Sequence, residues 1–293
     1  MHLLQHCPVC KGSNLLPYAM KFQTGFPHLS RTRCISCGIV FANPVASLDE
    51  LKTFYANYYD KGNFGLLNYK KKILSRINDI QTGDTTLLQK QKKDILTHKT
   101  GGNFLDIGFG LGEEMAIFHK LGFNVYGTEY DQDCINFITP HIPEAKLFLG
   151  DVIEARYPDN FFDVVNIFHV IEHLTDPVSY LTELRRILKP GGLLIIGTPD
   201  ISSPAYKLFR LVNFLTFRVP LIVDGLEHTV IFTKKNLATL LAAHHFTHLM
   251  HFRESVGDSF SNIWSSDLST KKKIVRYVQT FVKVNQILIT QKK

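Results

Sequence analysis

Residues 103–115 read NFLDIGFGLGEEM, and the fold is decided by how this stretch is read. Phe104, Leu105 and Ile107 form a short apolar run that predicts a buried strand, and Gly108, Gly110 and Gly112 follow it before a segment able to open a helix. A dinucleotide fingerprint in this position spaces its glycines G-x-G-x-x-G, so that backbone N–H groups approach a pyrophosphate at the helix N-terminus. Here the spacing is G-x-G-x-G. Asp106 precedes the turn and Glu113 and Glu114 follow it, so three carboxylates surround the place where a pyrophosphate would lie. Such a site favours a cationic part of a ligand over an anionic one.

Outward from the turn, the chain alternates strand and helix signals. Strands are expected near 103–107, 123–128, 146–149, 162–168 and 192–198, and helices near 113–121, 131–138 and 176–188. This alternation predicts an α/β, doubly wound, mostly parallel sheet covered on both faces, with ligand at the carboxyl ends of its strands. The second strand ends at Glu129, seventeen positions after Gly112, where an acid binds ribose hydroxyls bidentately. The third ends at Gly150-Asp151, and a carboxylate there can accept an exocyclic adenine amine. The row of acids therefore reads as sites for an ammonium group, a ribose and an adenine.

On these residues, positions 103 to about 200 resemble the class I S-adenosylmethionine-dependent methyltransferases. LDIGFGLG is similar to the family's glycine motif, GTEY to its ribose-binding acid, LGD to its adenine contact, FDVVNIFHVIEHLTDP to its fourth motif and LKPGGLLIIGTP to its fifth-strand motif. The likeness extends more loosely through LEHTVIFTKKNLATLLAAHHF, and CPVC...CISCGIVFANP resembles the zinc ribbon that precedes some bacterial members. The resemblance implies a seven-stranded Rossmann-like sheet with QILIT as an antiparallel strand beside the fifth. It implies S-adenosylmethionine as cofactor, held by Asp106, Gly108, Gly110, Gly112, Glu129, Asp151 and His169. The family more often has a small or polar residue where Phe109 stands, a departure of little weight if that side chain points away from the ligand.

Methyl transfer from a sulfonium is a displacement in which positive charge disperses, so a protein mainly aligns the nucleophile and removes its proton. The candidates are His169-x-x-Glu172-His173, after the fourth strand, and Glu227-His228, after the fifth. Three readings compete. Glu172-His173 can cap the next helix and pack the pocket wall; His173 or His228 can act as general base, with Glu172 beside them; or a second, divalent metal can be held. For that last reading, His169, Glu172, His173 and His228 imitate the Glu/His set of some RNA-end and quinol O-methyltransferases, with His169 standing where one family ligand is Glu.

At the N-terminus, Cys7-x-x-Cys10 and Cys34-x-x-Cys37 enclose 23 residues and can present four thiolates tetrahedrally to one Zn2+. Four protein ligands close the site, so this metal is expected to be structural. The fifth cysteine, Cys134, reads as a buried, inert thiol on a helix. Residues 1–45 thus form a zinc-ribbon module, 46–100 a helical linker and 101–293 the Rossmann-like domain. Within the linker, Ser47-Leu48-Asp49-Glu50 has the capping-box pattern for a helix through about Tyr58, and residues 66–99 predict two amphipathic helices separated near Gly83. Residues 205–219, AYKLFRLVNFLTFRV, read either as a helix covering the substrate or as an interfacial helix making peripheral membrane contact.

The chain has 293 residues, 45% of them hydrophobic and 20% charged, the balance of a soluble globular protein. The start of the chain has neither the basic residues nor the apolar core of a secretory leader, and no apolar run approaches the roughly 20 residues of a spanning helix, so a cytoplasmic protein is expected. The net charge of +7 and pI near 9.0 permit contact with nucleic acid, but Lys and Arg are spread along the chain. Lys271-Lys272-Lys273 reads as a solvated helix start. The expected acceptor is a small molecule, of the sugar or lipid-linked type by analogy with zinc-ribbon members. RNA methylation is the competing enzyme reading, disfavoured because there is no Asn-Pro-Pro-Tyr element and Thr198-Pro199-Asp200 does not replace it. A non-catalytic cofactor-binding module is the third. Nothing in the sequence signals an oligomeric state.

Overall fold

The computed structural model describes residues 2–18, 30–47, 50, 66–83, 99–204, 206–207, 211, 228–254 and 285–293. Three short strands come first: β1 (Leu15–Pro17), β2 (Arg31–Cys34) and β3 (Val40–Ala42). Helix α1 (Leu66–Thr82) follows, and then the alternating part: β4 (Gly102–Ile107), α2 (Glu113–Lys120), β5 (Phe123–Glu129), α3 (Gln132–Ile138), β6 (Lys146–Leu149), β7 (Phe162–Phe168), α4 (Pro177–Ile187) and β8 (Leu188–Pro199). β9 (Val230–Ile231), α5 (Lys234–Ala243), β10 (Phe246–Glu254) and β11 (Asn285–Lys292) complete it.

The main sheet has seven strands in the order β10-β11-β8-β7-β4-β5-β6. β4 to β8 run parallel, and β11, which contains the QILIT segment, lies antiparallel between β8 and β10. The chain leaves β4 to one side and returns to the other at β7, so a topological switch point opens a crevice above the carboxyl ends of these two strands. Val164, Val165 and Ile167 of β7 are all fully buried, because helices cover both faces of a parallel sheet and remove the polar alternation of a half-exposed one. α2 buries Met115 to Phe118, and the Phe118 ring stacks on Phe104 of β4 at 3.8 Å. α1 lays Ile73, Ile77 and Ile80 into the same core, at the spacing of one helical face. Cys134 is buried on α3 as expected.

β8 begins four residues before the expected 192, at Leu188. Pro190, Gly191 and Gly192 are poor strand formers, yet the segment is carried in by pairing of Leu188 with Phe162 across a register shift. A second, four-stranded sheet has the order β1-β2-β3-β9, so the N-terminal strands pair with a strand from beyond β8. Ser47 and Glu50 exchange the two bonds of the expected capping box, while the helix expected after it, the one near 87–99 and the Lys271–Lys273 run lie outside the described residues. So does nearly all of 205–219. Among the described residues no helix is long and apolar enough to cross a membrane.

Candidate active site

All three glycines of the turn adopt positive φ: 64° at Gly108, 55° at Gly110 and 77° at Gly112. L residues rarely adopt this conformation. A Cβ on Gly108 would lie 2.6 Å from Val170, and one on Gly112 2.6 Å from Ile138, so space and backbone both require glycine there. Phe109 packs into the core cluster with Met115 and Phe118. It is buried beneath β5, where a Cβ on Gly127 would approach its ring to 2.6 Å. Asp106 is buried at the end of β4 and accepts a hydrogen bond from the Asn166 amide at 2.8 Å. Glu113 pairs with Arg76 of α1 at 2.9 and 3.1 Å.

Glu129, at the end of β5, is tied to the turn itself. Its carboxylate accepts the Gly110 N–H at 2.9 Å on one oxygen, and those of Tyr130 and Asp131 at 2.7 and 3.2 Å on the other. A carboxylate has about four acceptor positions, so acceptor capacity remains for a ligand hydroxyl. Burial pushes its carboxyl group above the usual range, and the three N–H donors oppose that rise. Asp151 follows β6 and accepts the Ile153 N–H at 2.7 Å and the Tyr130 hydroxyl at 3.2 Å. Burial raises it as well.

Past β7, His169 takes a positive φ of 54°, a strained setting for a non-glycine residue of the kind held at functional sites. Its Nδ1 lies 3.1 Å from Glu172 and its Nε2 3.1 Å from the Asn285 amide. Glu172 also accepts the Thr198 hydroxyl at 2.9 Å. Burial alone would raise the Glu172 carboxyl group, but the bond from His169 and the nearby His173 hold it down at about 2. Glu172-His173 does not cap the next helix: it forms a 3-10 turn, and Asp176 caps α4 by accepting the Ser179 N–H. The His173 and His228 rings stack with centroids 4.9 Å apart, and Glu172, His173 and His228 bring ligand atoms within 4.8 Å of one another. His228 is 5% exposed, and its Nδ1 is buried without a partner. Burial, and then the nearby His173, push it down to about 3, so it is neutral with its lone pair available.

In the N-terminal sheet the four cysteines are free thiols whose sulfurs lie within 4.8 Å of one another. Cys7 and Cys37 are 3.6 Å apart and Cys10 and Cys34 3.5 Å apart, near the ~3.8 Å edge of a tetrahedron with Zn–S bonds of about 2.3 Å. The donor set and its spacing fit zinc. Sequence reasoning missed Asn285, Asn166 and Thr198, which arrive on strands otherwise read for their apolar pattern.

A family model described as a methyltransferase domain matches residues 81–250, more than half of the chain. The chain belongs to the class I S-adenosylmethionine-dependent methyltransferase family. Among similar sequences, an uncharacterized methyltransferase of Schizosaccharomyces pombe is 46% identical over 118 residues, 36% of this chain and 42% of the relative. The 2-methyl-6-phytyl-1,4-hydroquinone methyltransferase of Synechocystis is 34% identical over 101 residues, 33% of this chain and 32% of that protein. The chain thus spans well under half the length of these curated relatives. The geranyl diphosphate C-methyltransferase of Streptomyces coelicolor shares the fold with a TM-score of 0.53 at 12% identity, over 83% of this chain and 98% of the other.

Proposed function

We propose that this protein transfers a methyl group from S-adenosylmethionine to a small-molecule acceptor. The observation that carries the reading is the bond from the Gly110 N–H to Glu129, which joins turn and acid into one cradle at the switch point, with Asp106 and Asp151 on either side. A nucleoside with a charged amino-acid tail suits that row of acids, and a dinucleotide does not. Asp106 faces the ammonium end, Glu129 takes a ribose hydroxyl, Asp151 takes the adenine amine, and Gly108, Gly110 and Gly112 keep the floor open. When bound, the cofactor supplies an electrophilic methyl group. His173 or His228, stacked on each other, serves as the general base for the acceptor's proton, with the Glu172 carboxylate beside them. His169, tied to Glu172 and Asn285, forms the wall between the two halves.

A small-molecule acceptor is supported by relatives such as the hydroquinone methyltransferase. A sugar or lipid-linked intermediate is the finer form of the proposal, with residues 1–45 as a structural zinc ribbon joined to the catalytic part. Labelled S-adenosylmethionine incubated with this protein and a cell extract tests it. Label in a low-molecular-weight product is expected, and label in RNA contradicts the assignment.

The unpartnered His228 Nδ1 favours a second reading, in which Glu172, His173 and His228 hold a divalent cation. Metal analysis then gives two ions per chain, falling to one in His228→Ala. One ion in both proteins rules that reading out.

A further inference from the structure

The backbone of His228 is held from the ribbon side. Arg31 of β2, only 2% exposed, donates from Nη1 to the carbonyl oxygen of His228. The next residue, Thr229, accepts the Ala42 N–H of β3 on its carbonyl at 2.7 Å. Its hydroxyl donates to the carbonyl of His173 at 3.1 Å. Beyond it, β9 pairs with β3 through Phe41↔Val230 and Val40↔Ile231. Each bond acts on a carbonyl or a strand next to the stacked imidazoles. The ribbon also shares its core with this region: Cys7 and Cys34, both fully buried, belong to one apolar cluster with Phe41, Ile171, Val230 and Phe232.

A buried guanidinium is costly unless its donors are satisfied, so a simple packing role would be met better by an apolar residue. The bond from Arg31 to the His228 carbonyl ties the guanidinium to the backbone beside the stacked imidazoles. A short two-residue strand such as β9 has little register of its own, so the strand paired with it fixes where His228 begins.

We propose that Arg31 and β3 are positioning elements of the acceptor site: the ribbon holds His228 in its stack with His173, so loss of the ribbon's metal loosens this histidine while the cofactor cradle on β4 to β6 stays formed. The consequence for methyl transfer rests on the proposed role of His228; the mechanical coupling does not.

Three states of the full chain test it: Arg31→Met, Arg31→Lys, and wild type stripped of metal by a chelator. Each is measured for S-adenosylmethionine affinity by calorimetry, for amide hydrogen exchange at residues 228–232, and for diethyl pyrocarbonate modification of His228, with half-exposed His119 as control. Arg31→Met and the stripped protein are expected to keep affinity within about threefold of wild type. Exchange at 228–232 and modification of His228 should rise about tenfold in both, with His119 unchanged. Arg31→Lys, which retains a donor, should restore most of the protection. Unchanged protection at 228–232 in both Arg31→Met and the stripped protein overturns the coupling, as does loss of cofactor binding in those two states, which would make the ribbon a prop for the whole fold. Failure of wild type itself to bind S-adenosylmethionine counts against the proposed function instead.

Discussion

Gly127 and Phe109 determine how closely the glycine turn can approach its sheet. The Phe109 side chain occupies the space beneath the strand that a Cβ at 127 would need, at 2.6 and 2.9 Å from two ring atoms. Gly127→Ala is therefore expected to destabilise the protein by about 1–3 kcal/mol through overpacking, and Phe109→Leu in the same chain should recover part of that loss in denaturant midpoint. The glycine motif was legible in the sequence; this partnership was not, because it pairs a turn residue with a glycine that no spacing rule marks. Charge at the same site sets a pH response. Burial holds the Glu129 and Asp151 carboxyl groups above the usual range. A raised carboxyl group takes up its proton early as pH falls, which removes the negative charge offered to the cofactor. Affinity for S-adenosylmethionine, followed by calorimetry from pH 8 downward, should accordingly weaken before the ordinary carboxylate range is reached; a flat profile down to that range contradicts these assignments.

Among the elements, the turn after β7 carries most of the proposed chemistry, and α4 anchors its far end. Asp176 caps α4 through Ser179. Asp176→Ala should cost about 1 kcal/mol, read as a shift in denaturant midpoint with no change in cofactor affinity. The strands and helices from β4 to α4 were legible to within a residue or two from their apolar runs, whereas β8 began early because pairing overrode the poor propensity of Pro190, Gly191 and Gly192, and α5 and β10 were not read as elements. β9 was not legible at all. Two residues, Val230 and Ile231, carry no periodic signal, and only pairing with β3 makes them a strand. The same limit hid Arg31, which in sequence is one more basic residue between two cysteine pairs.

For the whole molecule, the seven-stranded order depends on the last described segment. β11 bonds β8 on one side and β10 on the other, and Ile287, Leu288 and Ile289 are buried. Removing residues 285–293 would bare two long strand edges and take away Asn285, the partner of His169 Nε2, so the truncated chain is expected to lose cooperative unfolding and soluble yield. A truncated protein that melts like wild type would show that the sheet closes without it. The larger claim is that a row of acids above the switch point selects a nucleoside with a cationic tail. Calorimetry with S-adenosylmethionine and with NAD, on wild type and Glu129→Ala, tests it most directly. The account predicts that wild type binds the first and not the second, and that Glu129→Ala weakens binding by about 1–3 kcal/mol, the worth of a charged hydrogen bond. Tight binding of NAD, or unchanged affinity in the variant, would contradict it.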